Sequence, residues 1–307
     1  MTVVEVDGHQ LSLSNLDKVL YPKTGFTKGE VIDYYARIAS TMLPHLGDRA
    51  ITLKRFPNGV DGKFFYEKNC PKAKPAWMET APIASEDGYI EYCQFSSIAD
   101  VVWAANLASL ELHTTMARAA TPANPTMVVF DLDPGEPANI VECADIGLWI
   151  RDLLRGIELE SFAKTSGSKG LQVYLPLNGD NDYGHSTGFA KSVAELMERE
   201  APDRVVSVQT KKLRVGKVLV DWMQNSFHKT TVCAYSMRAR ETPTVSTPVT
   251  WGEVEACHDE RDAALLSFTT DDVLDRVAEH GDLWEPTLTL RQELPPGPTA
   301  KAPVIKR

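Results

Sequence analysis

The spacing of apolar residues along the chain predicts a mixture of helices and strands. Thr27 and Glu30 fit a capping box, and Val31, Tyr34 and Ile38 then recur at helical spacing. Further helices are predicted over 97–113, with His113 at the end, and over 138–155, 184–200 and 270–280. Strands are predicted in pairs within 49–68 and 162–177, each pair around a tight turn, and singly over 127–133, 205–208 and 218–221. Because these elements do not alternate strictly, an α+β fold is favoured over a doubly wound sheet.

Composition and cysteine usage indicate an ordinary globular protein of a reducing compartment. With 43% hydrophobic and 24% charged residues the chain can bury a core, and no apolar run is long enough to cross a membrane. The N-terminus lacks the basic start and apolar stretch of a secretory signal. The five cysteines form no C-x-x-C pair, so we expect neither a disulfide framework nor a zinc site. We therefore expect a cytoplasmic monomer with no membrane contact.

Charge is unevenly distributed along the chain. A net charge of −10 argues against a nucleic-acid partner when it is taken alone. Residues 204–240, however, carry eight Lys and Arg against one acid, whereas 241–285 carry twelve acids against two basic residues. This segregation indicates either a directed electrostatic face or two opposite surfaces that pair with each other.

The segment VVFDLDPGE at 128–136 is the sharpest candidate for chemistry. Side chains alternate along a strand, so Asp131 and Asp133 point the same way while Leu132 points into the core. Two neighbouring carboxylates repel unless a cation lies between them, and oxygen ligands suit Mg²⁺ or Mn²⁺ better than zinc. The alternative is a strand end whose aspartates only cap the turn that follows.

A second strand of the same kind strengthens the metal interpretation. KVLVDW at 217–222 is an apolar run that ends in Asp221. If it lies beside the first strand, three carboxylates converge, which is the ligand set that two-metal phosphoryl or nucleotidyl transfer needs. The sequence alone does not prove that the two strands are adjacent.

Two further segments carry candidate anion-binding groups. TSGSKG at 165–170 lets backbone N–H groups approach an anion, and Lys169 adds a positive charge. It is not a Walker A loop, because a strand rather than a helix follows. Residues 222–240 crowd hydrogen-bond donors directly after Asp221, and these donors could hold a triphosphate or a template strand. A plain turn and a solvated loop are the simpler interpretations of either segment taken alone.

Together these motifs resemble the polymerase domain of bacterial DNA ligase D, within the archaeo-eukaryotic primase superfamily. The resemblance runs in the family's order through LSNLDKVLYP (13–22), TLKRFPNGVDG (52–62), LELH (110–113), VFDLDPGE (129–136), TSGSKGL (165–171), KVLVDWMQNS (217–226), YSMRAR (235–240) and PVTWGEV (248–254). It implies a single domain over 1–285 with a core of antiparallel or mixed, RRM-like sheets flanked by helices. Within it we expect a DNA- and 5′-phosphate-binding part over 1–110 and a catalytic part over 110–285. A proline-rich flexible tail is expected over 286–307.

The resemblance also implies a role for each site residue. It makes Asp131, Asp133 and Asp221 the catalytic ligands of two divalent ions, Mn²⁺ or Mg²⁺. The residues implied to contact the incoming nucleotide or to position the template beside it are His113, Ser166, Ser168, Lys169, Gln172, Gln224, Lys229, Arg238 and Arg240. Lys18, Lys28 and Lys54 match positions that bind a downstream 5′-phosphate, with Arg55 beside them. Phe65 and Tyr66 fall near stacking aromatics beside the template, and Arg214 matches a basic residue important for templated synthesis.

The implied activity is primer-extending, gap-filling nucleotidyl transfer that uses NTPs in preference to dNTPs. Its setting would be DNA repair by end joining or by gap filling in excision repair. The expected partners are gapped DNA or DNA ends with a downstream 5′-phosphate, NTPs or dNTPs, a separate ATP-dependent DNA ligase, and Ku. GVDG at 59–62 lacks the lysine of the ligase motif K-x-D-G, so we expect a stand-alone enzyme that hands its product to that ligase.

Two departures from the family pattern bear on the site. Gln172 stands where the superfamily usually has a histidine, and an amide can donate a hydrogen bond but carries no charge. The stretch between His113 and Asp131 is also short, so we expect template handling to differ from that of the ligase-fused relatives.

Two rival functions fit part of the sequence. VVFDLDPGE resembles the nucleophile motif of haloacid-dehalogenase-type phosphatases, but Pro134 and Glu136 spoil that motif and the strand lies far from the N-terminus. A non-catalytic DNA-binding module explains the basic segment and leaves the three aspartates without a role. The polymerase, the phosphatase and the DNA-binding module differ in whether they need metal, template, primer and nucleotide. Tests of these requirements therefore distinguish the three functions.

Overall fold

The computed structural model describes residues 1–296, which contain sixteen strands and six α-helices. The strands are β1 Thr2–Val6, β2 His9–Leu13, β3 Val19–Tyr21, β4 Phe26–Thr27, β5 Ile51–Arg55, β6 Phe65–Glu67, β7 Thr80–Ser85, β8 Gly88–Cys93, β9 Ser109–Thr115, β10 Met127–Pro134, β11 Phe162–Thr165, β12 Leu171–Pro176, β13 Val205–Val206, β14 Val218–Asp221, β15 Thr230–Val232 and β16 Pro248–Val249. The helices are α1 Lys28–Leu46, α2 Ile98–Asn106, α3 Ile140–Arg155, α4 Tyr183–Glu200, α5 Trp251–Glu260 and α6 Thr270–His280. The predicted α+β class is confirmed.

The first of the two large sheets has the strand order β13-β14-β10-β12-β11-β16. Its neighbours are antiparallel except for the parallel pair β13–β14. Along its central strand β10, Val128, Phe130 and Leu132 are fully buried in the core that α3, α4 and α5 share with the sheet. Met127 and Val129 alternate with them and belong to the other core. The alternation predicted for this strand is therefore confirmed, and it leaves Asp131 on the face away from the helices.

The second large sheet has the order β15-β9-β5-β8-β7, and β6 also pairs with β5. Its core contains the buried residues of α1 and α2, which pack against each other. Helix α1 begins at the predicted capping box: Thr27 and Glu30 exchange backbone and side-chain hydrogen bonds. The sheet combines strands from both expected parts of the chain, because β5 lies before residue 110 and β15 far beyond it.

The helix predicted over 97–113 is wrong in its second half. The helix α2 ends at Asn106, Ala108 adopts a left-handed conformation with φ +56°, and Ser109–Thr115 is the strand β9. All seven residues of β9 are buried, because the strand lies between β5 and β15. A run buried on both faces shows no period of two, so its apolar residues do not distinguish strand from helix.

The prediction of a flexible tail is wrong for residues 286–296, while 297–307 lie outside the described residues. A short 3-10 turn runs over Glu285–Leu288, and Leu294 is buried. Gln292 Nε2 donates to the carbonyls of Glu160 and Pro176, both at 2.9 Å. Proline marks the absence of regular structure, but it does not prevent a segment from packing through its other residues.

The expectation of no disulfide is also wrong. Cys70, just after β6, is bonded to Cys93 at the end of β8, with their Cα atoms 4.8 Å apart. The two residues are 23 positions apart, and they meet because the segment after β6 runs alongside β8, where Cys70 N–H donates to the carbonyl of Glu91. Spacing along the chain does not reveal such a neighbour. The cysteine argument for a reducing compartment therefore fails.

Residues 1–296 contain no helix with both the length and the apolar character needed to cross a membrane.

Candidate active site

The two aspartate segments meet on adjacent strands of the first sheet. Asp131 in β10 and Asp221 in β14 are direct cross-strand partners, and Asp133 lies two residues further along β10. Cβ atoms of such partners are roughly 4.5–5.5 Å apart, close enough for two carboxylates to share a cation. We call these three residues the acidic wall. The strand adjacency that the sequence could not prove is present, and the role of the three as metal ligands stays a prediction.

Each carboxylate of the acidic wall is held by a nearby donor. Asp131 Oδ1 accepts a hydrogen bond of 3.0 Å from Gln172, and Asp133 Oδ2 accepts one of 3.0 Å from Arg214. Asp221 caps the short turn that follows it. Within residues 1–296 no three or more His, Cys, Asp or Glu side chains are arranged as a ready metal site.

The electrostatics of the acidic wall fit a cation. Burial, and then the charges of Asp221 and Asp133, raise the pKa of Asp131 to about 6, although the hydrogen bond from Gln172 lowers it. Each of these carboxylates makes ionisation of the others less favourable. A positive charge placed between them offsets this repulsion. Their hard oxygen atoms are the ligands that Mg²⁺ and Mn²⁺ prefer.

Arg214 packs beside the turn that ends β10. A Cβ atom at Gly135 would lie 1.9 Å from the backbone oxygen of Arg214, so only glycine fits in the Pro-Gly turn after Asp133. The Arg214 guanidinium is 16% exposed and donates to Asp133 and to the carbonyl of Gln209. The structure therefore places this basic residue against the acidic wall.

The Ser-Gly turn between β11 and β12 is arranged by its own side chains. Ser166 Oγ accepts hydrogen bonds from the backbone N–H groups of Ser168, at 3.2 Å, and Gly170, at 3.1 Å. A Cβ atom at Gly170 would lie 2.0 Å from a backbone oxygen of β10. Lys169 pairs with Glu136 at 2.6 Å, and both side chains are exposed. An exposed pair of this kind contributes little stability, so Lys169 can exchange Glu136 for another anion.

A buried carboxylate organises the opposite side of the site. Glu111 in β9 is 1% exposed, and its oxygens lie 3.1 Å from Lys54 Nζ, 2.9 Å from His113 Nε2 and 3.5 Å from Arg238 Nε. We call these four residues the Glu111 cluster. In the register of β5 and β9, Lys54 is the direct partner of Glu111, and Thr52 that of His113.

The charges of the Glu111 cluster control its pKa values. Although burial raises it, the hydrogen bond from His113 and the charges of Arg238 and Lys54 hold the pKa of Glu111 well below its ordinary 4.5. Burial lowers the pKa of His113 below 6.5, against the attraction of Glu111. Glu111 is therefore an anion that holds Lys54 and His113 through hydrogen bonds and Arg238 through its charge.

Five Lys and Arg side chains line the cavity beside the acidic wall: Lys68, Lys169, Lys229, Arg238 and Arg240. We call the last four the cationic wall. Arg238 donates to the backbone oxygen of Ser166 and so joins the segment after β15 to the Ser-Gly turn. Burial, and then the charge of Arg238, lower the pKa of Arg240. Crowded positive charges at the edge of a cavity favour an anionic ligand.

The acidic and cationic walls enclose one pocket of about 490 Å³, within the usual size of ligand sites. Twelve of the predicted residues line it: Tyr66, His113, Asp131, Asp133, Ser166, Ser168, Lys169, Gln172, Gln224, Lys229, Arg238 and Arg240. The other seven do not: Lys18, Lys28, Lys54, Arg55, Phe65, Arg214 and Asp221. Of these, Asp221 and Arg214 adjoin Asp131 and Asp133 directly.

The three lysines predicted around a 5′-phosphate make different contacts within the protein. Lys28 Nζ is buried and donates to the carbonyl of Ser14 at 2.6 Å, while the exposed Lys18 Nζ lies 3.2 Å from the Asn58 side chain. The Lys28 backbone N–H donates to the carbonyl of Lys18 at 2.8 Å, so these two residues are neighbours, and burial, and then the charge of Lys18, lower the pKa of Lys28. The Lys54 ammonium instead lies 3.1 Å from the Glu111 carboxylate, within the Glu111 cluster.

Aromatic side chains stand exposed at the mouth of the site, on β6 and just before it. Phe64, Phe65 and Tyr66 are 51%, 44% and 54% exposed. Lys54 Nζ lies 4.7 Å from the ring centre of Phe64, and the Arg55 guanidinium lies 5.2 Å from that of Phe65. Exposed rings beside cations are typical of surfaces on which nucleic-acid bases stack.

The sequence analysis missed two buried residues that shape this site. Glu111 was hidden because LELH was assigned to a helix, although alternation in a strand puts Glu111 and His113 on one face. Lys164 in β11 is 1% exposed and donates to Gln172. Its only signal in the sequence was a lysine at the centre of a short strand.

Comparison with known proteins identifies the family. The family model for "LigD, primase-polymerase domain" matches residues 27–284. The multifunctional non-homologous end joining protein LigD of Mycobacterium bovis is 43% identical over 284 residues, which are 90% of this chain and 37% of that protein. The bifunctional non-homologous end joining protein LigD of Bacillus subtilis is 30% identical over 273 residues, 89% of this chain and 43% of that protein.

A solved structure agrees with the sequence comparisons. The polymerase domain of Mycobacterium tuberculosis Ligase D in complex with DNA matches with a TM-score of 0.84 and 42% identity, covering 91% of this chain and 98% of that one. The chain spans 37% of the length of the mycobacterial relative it matches, little more than a third. The phosphatase and the non-catalytic module are excluded by this agreement. The chain belongs to the LigD primase-polymerase family and is a nucleotidyltransferase.

Proposed function

We propose that the chain is a template-directed polymerase that extends a DNA primer across a gap or at a DNA end. The observation that carries this proposal is that one pocket contains both Asp131 and Asp133 and the four basic residues of the cationic wall. A nucleoside triphosphate bound to divalent ions has matching parts: a metal-bound reacting centre and a highly charged phosphate chain.

The cationic wall and the acidic wall would bind different groups. In the cationic wall, Lys169, Arg238 and Arg240 would hold the triphosphate, together with the Ser166 turn and Lys229. His113, which Glu111 orients, and Gln224 would position the nucleotide beside the template. Held in this way, the α-phosphate is presented to the primer end in a fixed geometry, which supplies most of the catalysis in phosphoryl-type transfer.

The acidic wall would hold two ions, Mn²⁺ or Mg²⁺, through Asp131, Asp133 and Asp221. When bound, such ions neutralise charge on the phosphates and activate the attacking hydroxyl. The cross-strand pairing of Asp131 with Asp221 supports a shared ligand set, as does the raised pKa of Asp131. Arg214 would give up its ion pair with Asp133 when Asp133 binds the ions. Metal binding would in this way be coupled to the role of Arg214 in templated synthesis.

The surroundings of the pocket support a DNA substrate. Phe65 and Tyr66 would stack against bases of the template, and Arg55 lies against the ring of Phe65. Lys18 and Lys28 would bind a downstream 5′-phosphate, because an anion relieves the repulsion of two neighbouring ammonium groups. Lys54, whose ammonium lies 4.7 Å from the ring centre of Phe64, would also contact that phosphate.

The proposal extends to the sugar and the setting. We expect NTPs to be used in preference to dNTPs, since a site that hydrogen-bonds the 2′-hydroxyl leaves its partner unpaired when that hydroxyl is absent. The names of the relatives support a role in repair by end joining. Gap filling in excision repair is a second proposed setting. The proposed partners are an ATP-dependent DNA ligase and Ku, and the proposed form is a cytoplasmic monomer.

The test is extension of a labelled primer across a short gap. Each nucleotide type would be supplied separately with Mn²⁺ or Mg²⁺, on templates of different sequence. We expect template-directed addition that requires a divalent ion, uses NTPs better than dNTPs, and stops at the end of the gap. Addition that ignores the template, or extension that persists in excess chelator, would contradict the proposal.

A further inference from the structure

Four polar residues form one row across the first sheet. Asp221 in β14 is the cross-strand partner of Asp131 in β10, Asp131 is that of Gln172 in β12, and Gln172 is that of Lys164 in β11. Direct partners in neighbouring strands carry side chains on the same face. The row therefore runs without interruption from the acidic wall to a buried amine.

Lys164 lies at the buried end of this row. It is 1% exposed, and its Nζ atom donates to Gln172 Oε1 at 2.5 Å and to Ser246 Oγ at 2.7 Å. Ser246 in turn donates its hydroxyl hydrogen to the carbonyl of Thr165 at 2.9 Å, so its oxygen is free to accept. Both partners of Lys164 are neutral, which is an unusual arrangement for a buried lysine and requires a reason beyond charge pairing.

The hydrogen bond from Lys164 determines which way the Gln172 amide faces. An amine in either protonation state offers N–H donors, so the amide oxygen, not its nitrogen, lies towards Lys164. Gln172 Nε2 is consequently directed at Asp131 Oδ1, at 3.0 Å, where an ionised carboxylate can only accept.

We propose that Lys164 and Gln172 are positioning residues for the metal-binding carboxylate Asp131. Lys164 orients the amide, and the amide fixes the rotation of Asp131 so that its second oxygen, Oδ2, is presented to the ion. This inference rests on the proposed function, because it assigns Asp131 to a metal. It also gives Gln172 a role towards the carboxylate, whereas the family resemblance suggested contact with the nucleotide.

The arrangement explains why glutamine can stand where the superfamily has histidine. An imidazole can accept a hydrogen bond at one ring nitrogen and donate from the other, so it too can link Lys164 to Asp131. Leucine has a similar size and can do neither. Residues that orient a metal ligand in this way typically change metal affinity about 10–100-fold when they are removed.

The experiment is a Mn²⁺ titration of the protein, without DNA or nucleotide, in which free Mn²⁺ is measured by electron paramagnetic resonance. We expect Gln172→His to bind Mn²⁺ nearly as wild type and Gln172→Leu to bind it about tenfold more weakly. Lys164→Met, which keeps the length of the side chain, should match Gln172→Leu. The double variant should be no weaker than either single variant, because the two residues act in series.

Arg49→Met is the matched control. Arg49 is also a buried cation, 4% exposed, that donates only to neutral partners: the Thr115 carbonyl at 3.2 Å and Thr126 Oγ1 at 2.9 Å. It should lower the melting temperature without changing the Mn²⁺ titration. In primer extension, Lys164→Met should shift the Mn²⁺ concentration for half-maximal rate and leave the KM for nucleotide unchanged.

Distinct outcomes separate this inference from the proposed function. Equal Mn²⁺ binding by Gln172→His and Gln172→Leu would overturn the positioning role, and this comparison decides the question even if Lys164→Met does not fold. If the losses of Mn²⁺ affinity in the two single variants add up in the double variant, Lys164 and Gln172 do not act in series. If wild type extends primers but none of these variants changes Mn²⁺ binding, only the positioning role fails. If wild type neither binds Mn²⁺ nor extends a primer, the proposed function fails.

Discussion

The acidic wall of the pocket comes from regular strands, whereas the cationic wall is assembled from segments far apart in the chain. Asp131 and Asp221 face each other through backbone hydrogen bonds of one sheet. Arg238 and Lys169 lie on separate loops, which side-chain contacts such as the hydrogen bond from Arg238 to the Ser166 carbonyl help to join. Strand register positions the aspartates of the acidic wall, whereas side-chain contacts between loops help to position the basic residues of the cationic wall.

This difference predicts different responses to mutation. Replacing a carboxylate of the acidic wall should remove chemistry while the fold remains, because the sheet does not depend on it. Replacing Glu111 should disturb fold and binding together, because Glu111 holds Lys54, His113 and Arg238 in place.

The largest effect is expected for Asp131→Asn. The amide keeps the size of the side chain but loses the charge of a metal ligand, so extension should fall by roughly a thousandfold or more. Affinity for DNA and the melting temperature should change little. Single-turnover primer extension and fluorescence anisotropy with labelled DNA measure these quantities.

Asp259→Asn is the control for Asp131→Asn. Its carboxylate is 77% exposed near the end of α5, and its replacement should leave extension at the wild-type rate. Asp221→Asn should lose as much as Asp131→Asn, and the double variant should lose hardly more, since both serve one ligand set. Near-normal extension by Asp131→Asn would contradict the metal site.

Glu111→Gln should show the second largest effect. The substitution leaves three nitrogen donors around a neutral amide, and breaking a buried ion pair in this way costs about 3–5 kcal/mol of unfolding free energy. We expect a lower melting temperature and a raised KM for NTP, because Arg238 and His113 lose their fixed positions. Denaturant unfolding and steady-state kinetics measure the two effects.

The control for Glu111→Gln is Glu253→Gln. Glu253 in α5 accepts two hydrogen bonds from Arg276, at 2.5 and 3.0 Å, and neither residue lines the pocket. It should destabilise the fold less and leave the KM for NTP unchanged. A Glu111→Gln variant that unfolds at the wild-type denaturant concentration would show that the cationic wall does not depend on the Glu111 cluster.

A smaller effect is expected for the pH dependence of stability. Because burial lowers the pKa of His113 below 6.5, the unfolded chain binds a proton there before the folded one does. His113 therefore stabilises the fold fully above pH 6.5, and that contribution falls as the pH drops through its folded pKa. The depressed pKa of Glu111 adds a further loss only below pH 4.5, where the unfolded glutamate is protonated first.

Melting temperatures between pH 7.5 and 5.5 test the His113 contribution. His113→Gln should lose less stability than wild type over this range, because no titrating group remains at that position. His280, 44% exposed at the end of α6, provides the control in His280→Gln, which should follow the wild-type curve. Parallel curves for wild type and His113→Gln would contradict the assigned pKa direction.

The acidic wall could be predicted from the sequence, because it depends on local patterns. Alternation along VVFDLDPGE predicts the common direction of Asp131 and Asp133, and the boundaries of β14 and α6 are those predicted. The Ser-Gly turn was likewise predicted between two strands. Each of these depends on residues next to one another in the chain.

The rest depends on contacts that no local pattern encodes. Strand β9 is buried on both faces, so its alternation was invisible and Glu111 was overlooked. Lys164 acts through Gln172 on the neighbouring strand, and Cys70 meets Cys93 only through the course of the chain beside β8. Such pairings follow from tertiary register, which a single sequence does not determine.

The smallest expected effect concerns binding of the 5′-phosphate at the downstream end of a gap. Lys18 and Lys28 are neighbouring ammonium groups, while Lys54 is held by Glu111, so they should not act alike. Lys18→Ala should reduce the preference for a 5′-phosphorylated end about fivefold, equivalent to about 1 kcal/mol. The effect is small because Lys28 remains and the Lys18 side chain is exposed. Its KM for NTP should not change.

Lys54→Ala should weaken phosphate preference and also raise the KM for NTP, since it removes one cation from the Glu111 cluster. Binding of gapped DNA with and without the 5′-phosphate, together with NTP kinetics at saturating DNA, separates the two lysines. Lys23→Ala is the control, because Lys23 is exposed and paired with Glu241 on the surface. If wild type binds both ends equally, Lys18 and Lys28 form no phosphate site. If Lys54→Ala changes only phosphate preference, Lys54 belongs with them rather than with Glu111, because a lysine that supports the cationic wall cannot be removed without weakening NTP binding.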